Sequence, residues 1–364
     1  MITGSEEARL KPALPMTNNG HMTAAVLYGR EDVRVERVPI PEVGPGEVLV
    51  RVAVALTCGT DLKVWRRGYH ARMITPPALF GHELSGTVAT VGAGVRIFSP
   101  GMRVVPANSA PCGKCFYCQA GQANLCEDLL FMNGAYAQYL RVPARIVERN
   151  LLEIPRHVTF RDAAMAEPLA CVLRGVEEMR VPPGAAVAVV GCGAIGLKFI
   201  RVLSRRGARV IAVGKRPGQL ENARKLGAAE TVDVTGILHP VDAVRRLTPG
   251  GRGVDAVAEA VGQPTTWEWA IGMVRRGGSV NLFGGCSKGT EVRVDPSELH
   301  YSEITIRSTF HHTPRHMREA LASIAGGEVD TGEFVTAERP LADLPAIFEE
   351  MKTRNGELKT AVIP

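Results

Sequence analysis

Ala186-Val187-Ala188-Val189-Val190, followed at once by Gly191-Cys192-Gly193-Ala194-Ile195-Gly196, is the stretch on which the fold turns. Five small or β-branched apolar residues suit a strand buried on both faces, and the glycine pattern after it opens a helix over 194–206. The glycines permit a tight turn and close backbone approach. The helix N-terminus then offers free N–H groups and the positive end of its dipole to a pyrophosphate. Outward from this point the rhythm continues as strand 209–213, helix 218–226, strand 231–234, helix 241–247, strand 254–260, helix 265–274 and strand 279–283. Repeated βαβ units predict an α/β fold with a Rossmann-type, doubly wound parallel sheet. Gly191, Gly193, Ala194, Ile195 and Gly196 are its candidate cofactor contacts. Ala260-Val261-Gly262 and Phe283-Gly284 join them, at the carboxyl ends of strands where such sheets bind ligands.

The end of strand 209–213 bears on which dinucleotide binds. An NAD site normally carries Asp or Glu there for the ribose hydroxyls, whereas this chain has Gly214, Lys215 and Arg216. Loss of the acid removes repulsion toward a 2′-phosphate and the two cations can pair with it, which favours NADP over NAD.

Upstream, residues 23–165 show short β-runs broken by Gly and Pro, which predicts a barrel-like β domain with few helices. The whole chain has 364 residues, and at ~150 residues per domain that length argues for two domains. Its longest apolar run, residues 185–197, contains three glycines and is too short for a membrane span. The net charge of +6 includes no block of basic residues, which argues against a nucleic-acid or membrane partner. Residues 1–22 hold Glu6, Glu7, Arg9 and Lys11 and no secretory core, so a disordered extension and a cytoplasmic protein are expected.

The chain has eight cysteines, and Cys112, Cys115, Cys118 and Cys126 fall within fifteen residues. Four thiolates on one loop satisfy a tetrahedral zinc with no open position, which predicts a structural site in a lobe over 108–128. Three other segments hold potential ligands beside Gly or Pro: Cys58-Gly59-Thr60-Asp61, Gly81-His82-Glu83 and Glu167-Pro168.

Taken in order, CGTD, GHE, the four-cysteine lobe, EPLA at 167–170, GCGAIG and the closing LKTAVIP resemble the zinc-dependent medium-chain alcohol and polyol dehydrogenases over residues 23–364. EPLA is similar to the sorbitol, threonine and sugar branch rather than to the ethanol dehydrogenases. The resemblance implies a GroES-like catalytic domain (23–165 and 307–364) around the Rossmann domain (166–306). It also implies two zinc ions per chain and a homodimer or homotetramer. Cys58 and His82 would be ligands of a catalytic zinc, with Glu83 and Glu167 competing for a carboxylate position. The implied reaction is reversible oxidation of a secondary alcohol by hydride transfer. Thr60 would take the alcohol's proton, and Lys359 would touch the pyrophosphate.

One position departs from the pattern. Many relatives place a proton-relaying His five residues after the cysteine ligand, and this chain has Lys63. Trp65, Arg66, Arg67, Tyr69, His70, Arg72 and the Phe310-His311-His312 segment suggest a polar substrate, a polyol, sugar or (amino)cyclitol whose alcohol and ketone forms are both small molecules. A threonine-type amino-alcohol dehydrogenase and a non-catalytic NADP-binding redox sensor are the alternatives.

Overall fold

The computed structural model describes residues 20–70, 72–353 and 358–364. Residues 1–19, most of the expected N-terminal extension, lie outside the described residues. His21 and Met22 do not belong to an extension, because they begin the strand His21–Gly29.

The glycine stretch lies where the sequence places it. Strand Ala186–Val190 is central in a wholly parallel six-stranded sheet ordered Ala228–Asp233, Arg209–Gly214, Ala186–Val190, Val254–Glu259, Val274–Leu282 and Thr305–Ser308. Val187, Val189 and Val190 are buried, as a strand covered by helices on both faces requires. Helix Ala194–Arg205 starts one residue beyond its N-cap, Gly193. The sixth strand, Thr305–Ser308, and the short helix Pro296–Tyr301 before it have no counterpart in the sequence reading. The strand is mostly exposed and polar, so it lacks the apolar run that marks an inner parallel strand.

The β-rich part is a mixed sheet in the order Leu151–Glu153, Arg103–Pro106, Leu84–Val91, Val48–Leu56, Lys359–Ile363 and Val335–Pro340, with Tyr139–Val142 also pairing with Val48–Leu56. The chain's last strand therefore lies beside the strand that leads into Cys58. It pairs antiparallel there, with Ala361 opposite Leu56, and parallel with Val335–Pro340. The hairpin Ser109–Ala110 with Leu130–Phe131 frames the cysteine lobe.

Helix Ala166–Met179 joins the two parts. Leu169, Leu173 and Val176 are buried in one continuous core with Leu197 and Ile200 of the dinucleotide helix and Met317 and Leu321 of helix Pro314–Ala325. Among the described residues, no helix is long and apolar enough to cross a membrane.

Candidate active site

Cys58 is the N-cap of helix Gly59–Arg67, where its sulfur accepts the backbone N–H of Thr60 at 3.4 Å. His82 and Glu83 precede strand Leu84–Val91, which pairs with Val48–Leu56 and so brings both toward Cys58. Gly81 is needed at this turn: its φ is +89°, and a Cβ there would sit 2.5 Å from the Tyr136 ring. Ligand atoms of Cys58, His82 and Glu83 lie within 4.8 Å of one another.

His82 Nδ1 is 2.8 Å from Asp61 Oδ1, and Tyr136 donates its hydroxyl to Asp61 Oδ2 at 2.7 Å. An imidazole tied at Nδ1 to a carboxylate leaves Nε2 available to coordinate a metal, with ring angle and tautomer set. Burial pulls the His82 pKa down, but the nearby Asp61 and Cys58 charges outweigh it, leaving the value raised well above the usual histidine range. Asp61 stands within the CGTD motif, but its role depends on Tyr136, 75 residues away.

Glu83 is fully buried; Lys359 donates to its Oε2, and Oε1 has no hydrogen-bond partner. Lys359 also donates to the Thr57 carbonyl at 2.7 Å. Lys359, the residue anticipated at the pyrophosphate, is thus engaged in a buried ion pair, because the closing strand's register turns it toward the Cys58 turn. Glu167 lies in the first turn of its helix, in a neighbouring group with His311 and His312; His312 Nε2 is 3.6 Å from it. Burial raises the Glu167 pKa to about 7 against the lowering charge of His82.

Thr60 is half-buried next to Cys58, and Lys63 is exposed one turn further on. The Lys63 charge acts on Glu259 and Cys286, so the lysine faces the carboxyl ends of the parallel strands. The segment expected to line a polar pocket divides. Trp65 is 2% exposed and stacks on Phe348 at 5.5 Å, which makes it core, while Arg67 donates to Ser287 Oγ at 3.1 Å.

At the dinucleotide loop a Gly196 Cβ would fall 1.7 Å from the Gly191 carbonyl oxygen, so only glycine permits this helix-to-strand contact. Nothing lies within 4 Å of a Cβ placed on Gly193, and no side chain caps the helix. The free N–H groups and open space fit a pyrophosphate. The Arg216 charge reaches Cys192 in this loop, and Lys215 is exposed beside Gly214. Val261 packs against Gly191. Glu259 accepts from the N–H groups of Val261 and Gly262 and from Thr266 Oγ1, fixing the Ala260–Gly262 turn. The Phe283 ring packs on Phe199 at 5.0 Å, and the N–H groups of Phe283 and Gly284 donate to the Glu259 carbonyl, which sets this turn beside Gly262.

In the lobe, all four sulfurs of Cys112, Cys115, Cys118 and Cys126 lie within 4.8 Å, and none is disulfide-bonded. Cys112 N–H donates to Cys126 Sγ at 3.1 Å and Gly113 N–H to Cys118 Sγ at 3.3 Å. Four sulfurs at this spacing, with N–H groups aimed at them, fit a tetrahedral zinc.

The comparisons with known proteins agree with this geometry. Residues 44–155 match the alcohol dehydrogenase GroES-like domain and residues 194–326 the zinc-binding dehydrogenase domain. The D-xylulose reductase A of Aspergillus niger is 30% identical over 354 residues, covering 94% of this chain and 97% of that protein. The chain belongs to the zinc-dependent medium-chain alcohol and polyol dehydrogenases. The sorbitol dehydrogenase of Bacillus subtilis (strain 168) is 29% identical to this dehydrogenase over 352 residues, covering 94% and 98% of the two chains. A protein of Sinorhizobium meliloti 1021, described as a zinc-binding dehydrogenase and solved bound to NADP, superposes with a TM-score of 0.84 at 31% identity, covering 94% and 99%. The dehydrogenase is accordingly an oxidoreductase of the alcohol dehydrogenase type that uses zinc and a nicotinamide cofactor.

Proposed function

We propose that the protein oxidises a secondary alcohol of a polyol, sugar or (amino)cyclitol to the ketone, with two zinc ions per chain and with NADP preferred to NAD. The observation that carries this reading is the convergence of Cys58, His82 and Glu83 within 4.8 Å, with His82 tied to Asp61. Cys58, His82 and a carboxylate hold the catalytic zinc, and Cys112, Cys115, Cys118 and Cys126 the structural one. Of the two carboxylates, Glu83 shares the group with Cys58 and His82, and Glu167 stands at its side.

When bound, zinc supplies a Lewis acid that acidifies the alcohol, and the nicotinamide supplies the hydride acceptor. The protein's own groups do the rest. Asp61 and Tyr136 hold the His82 ring, and the Lys359 ammonium balances the Glu83 charge. The Thr60 hydroxyl, one turn from Lys63 on the same helix, takes the substrate proton. Lys63 is the exposed end of that route, beside the strand ends where the cofactor lies. Gly191 to Gly196 cradle the pyrophosphate, and the cations at 215 and 216 meet the 2′-phosphate. The NADP carried by the Sinorhizobium meliloti structure and the polyol-type substrates named for the relatives support both choices. The protein works as a homo-oligomer, a dimer or a tetramer.

The test is turnover of the zinc-loaded enzyme with NAD+ and NADP+ against a panel of polyols, cyclitols and L-threonine, with metal analysis of the same sample. Two zinc ions per chain and polyol oxidation with NADP+ are expected. Preference for L-threonine would replace this reading with the amino-alcohol one, and one zinc or none would overturn the site assignment.

A further inference from the structure

Phe310, His311 and His312 lie in the loop after the last parallel strand, and the reaction as derived above uses none of them. His311 has a φ of +66°, a left-handed conformation that few non-glycine residues adopt. Two parts of the protein hold the loop there. Arg174, on the helix that carries Glu167, donates to the carbonyls of Phe310 at 2.7 Å and of His311 at 3.2 Å. Asn124, in the four-cysteine lobe, donates to the Phe310 carbonyl at 3.2 Å.

The His311 side chain is held as firmly as its backbone. Its Nε2 lies 2.6 Å from Ser109 Oγ, and its ring packs on Phe131 and on His312. His312 is buried, with Nε2 3.1 Å from Asn108 Oδ1 and 3.6 Å from Glu167, and its Nδ1 has no hydrogen-bond partner. Ligand atoms of Glu167, His311 and His312 lie within 4.8 Å of one another, and the His82 charge reaches both histidines. The pair therefore flanks the Cys58–His82–Glu83 group on its Glu167 side. His312 is buried, whereas His311 is only half-buried.

With one nitrogen engaged by Ser109, the other carries one definite role, donor or acceptor. An imidazole fixed in this way suits a hydroxyl, since its remaining ring nitrogen supplies one directed hydrogen bond.

We infer that His311 binds a second hydroxyl of the substrate, close to the carbinol being oxidised, with Ser109 setting its ring and His312 positioning Glu167 beside it. The inference rests on the polyol reading above. It makes His311 the residue that separates diols and polyols from simple secondary alcohols, and it gives the cysteine lobe a part in specificity through Asn124.

The test pairs two substrates of one carbon skeleton, 2,3-butanediol and 2-butanol, on the zinc-loaded wild type, His311→Leu and His311→Gln, with thermal melting and metal content as controls. In His311→Leu the diol KM should rise about tenfold or more while kcat stays within about threefold, and the diol-to-monoalcohol ratio of kcat/KM should fall about tenfold. Glutamine, which keeps a donor and an acceptor, should restore most of that ratio. Equal losses on both alcohols, a glutamine variant no better than leucine, or loss of a metal equivalent in His311→Leu would each overturn the inference. A wild type that oxidises diols while the variants leave the ratio unchanged defeats this inference alone; a wild type that oxidises no diol or polyol defeats the polyol reading as well.

Discussion

Replacing Lys359 by Met tests the buried ion pair between Lys359 and Glu83. The ammonium is 3% exposed, and its partner Glu83 is fully buried with one oxygen already unpaired. Burial lowers the Lys359 pKa, but the Glu83 and Cys58 charges more than offset this, so the ammonium keeps its charge. Removing one partner leaves an uncompensated carboxylate in the core, a change that costs about 3–5 kcal/mol. For a cooperative unit of ~200 residues, with unfolding entropy near 2.1 cal/mol/K per residue, that corresponds to roughly 7–12 °C in Tm. Lys359→Met combined with Glu83→Gln should recover a good part of the loss, because neither charge then remains. The assay is thermal unfolding of the metal-free protein, alongside a fluorescence titration of the cofactor. A single variant that melts within about 2 °C of wild type but binds cofactor about tenfold more weakly would refute the ion-pair account and return Lys359 to the pyrophosphate.

Three further outcomes follow from the site. Asp61→Asn should weaken catalytic-zinc affinity by about 10–100-fold in chelator competition, because it removes the carboxylate that orients His82; unchanged affinity would show that the ring is held without it. Replacing Lys215 and Arg216 together by Ala should raise the KM for NADP about tenfold or more while altering that for NAD far less, and parallel changes would remove them from the 2′-phosphate. His311 is neutral in the fold down to about pH 3, whereas an unfolded histidine takes up a proton below about 6.5. The unfolded chain thus binds more protons in that window, and stability falls as pH falls. The slope between pH 6 and 4, from urea unfolding, should be shallower in His311→Gln by up to about 1.4 kcal/mol per pH unit, and identical slopes would contradict the burial.

What was legible in the sequence and what was not divide along a physical line. The glycine loop and the four-cysteine lobe were readable because their geometry is local: three glycines at the junction of a strand and a helix, or four thiols within fifteen residues, constrain the backbone before any other part of the chain arrives. Cys58, His82 and Glu83 were recognisable as ligand types, but their convergence needs the pairing of Val48–Leu56 with Leu84–Val91. Asp61 and Tyr136, or Glu83 and Lys359, meet only through long-range pairing, and neither residue of such a pair carries a mark of its partner. Lys198 shows this most plainly. In a sequence it is one more helical lysine; in the fold it is fully buried, donates to the Ala194 carbonyl at 3.1 Å and lies over the Phe334 ring, and burial with the Lys359 charge brings its pKa down to about 7.

The closing strand explains why these buried charges gather in one place. Lys359–Ile363 comes last in the chain yet pairs beside the strand that ends at Cys58, with Thr360 N–H donating to Thr57 Oγ1 and Lys359 to the Thr57 carbonyl. The turn carrying Cys58 is therefore braced by residues some 300 positions later. The parallel sheet sits between these two segments in sequence, so the Cys58 turn cannot take its final form until the chain has passed through that sheet and returned. A chain truncated before Leu358 would keep Cys58, His82, Glu83 and the whole glycine loop but would lose the countercharge of Glu83 and the brace on Thr57. It should therefore lose catalytic-zinc affinity even though every proposed ligand is present.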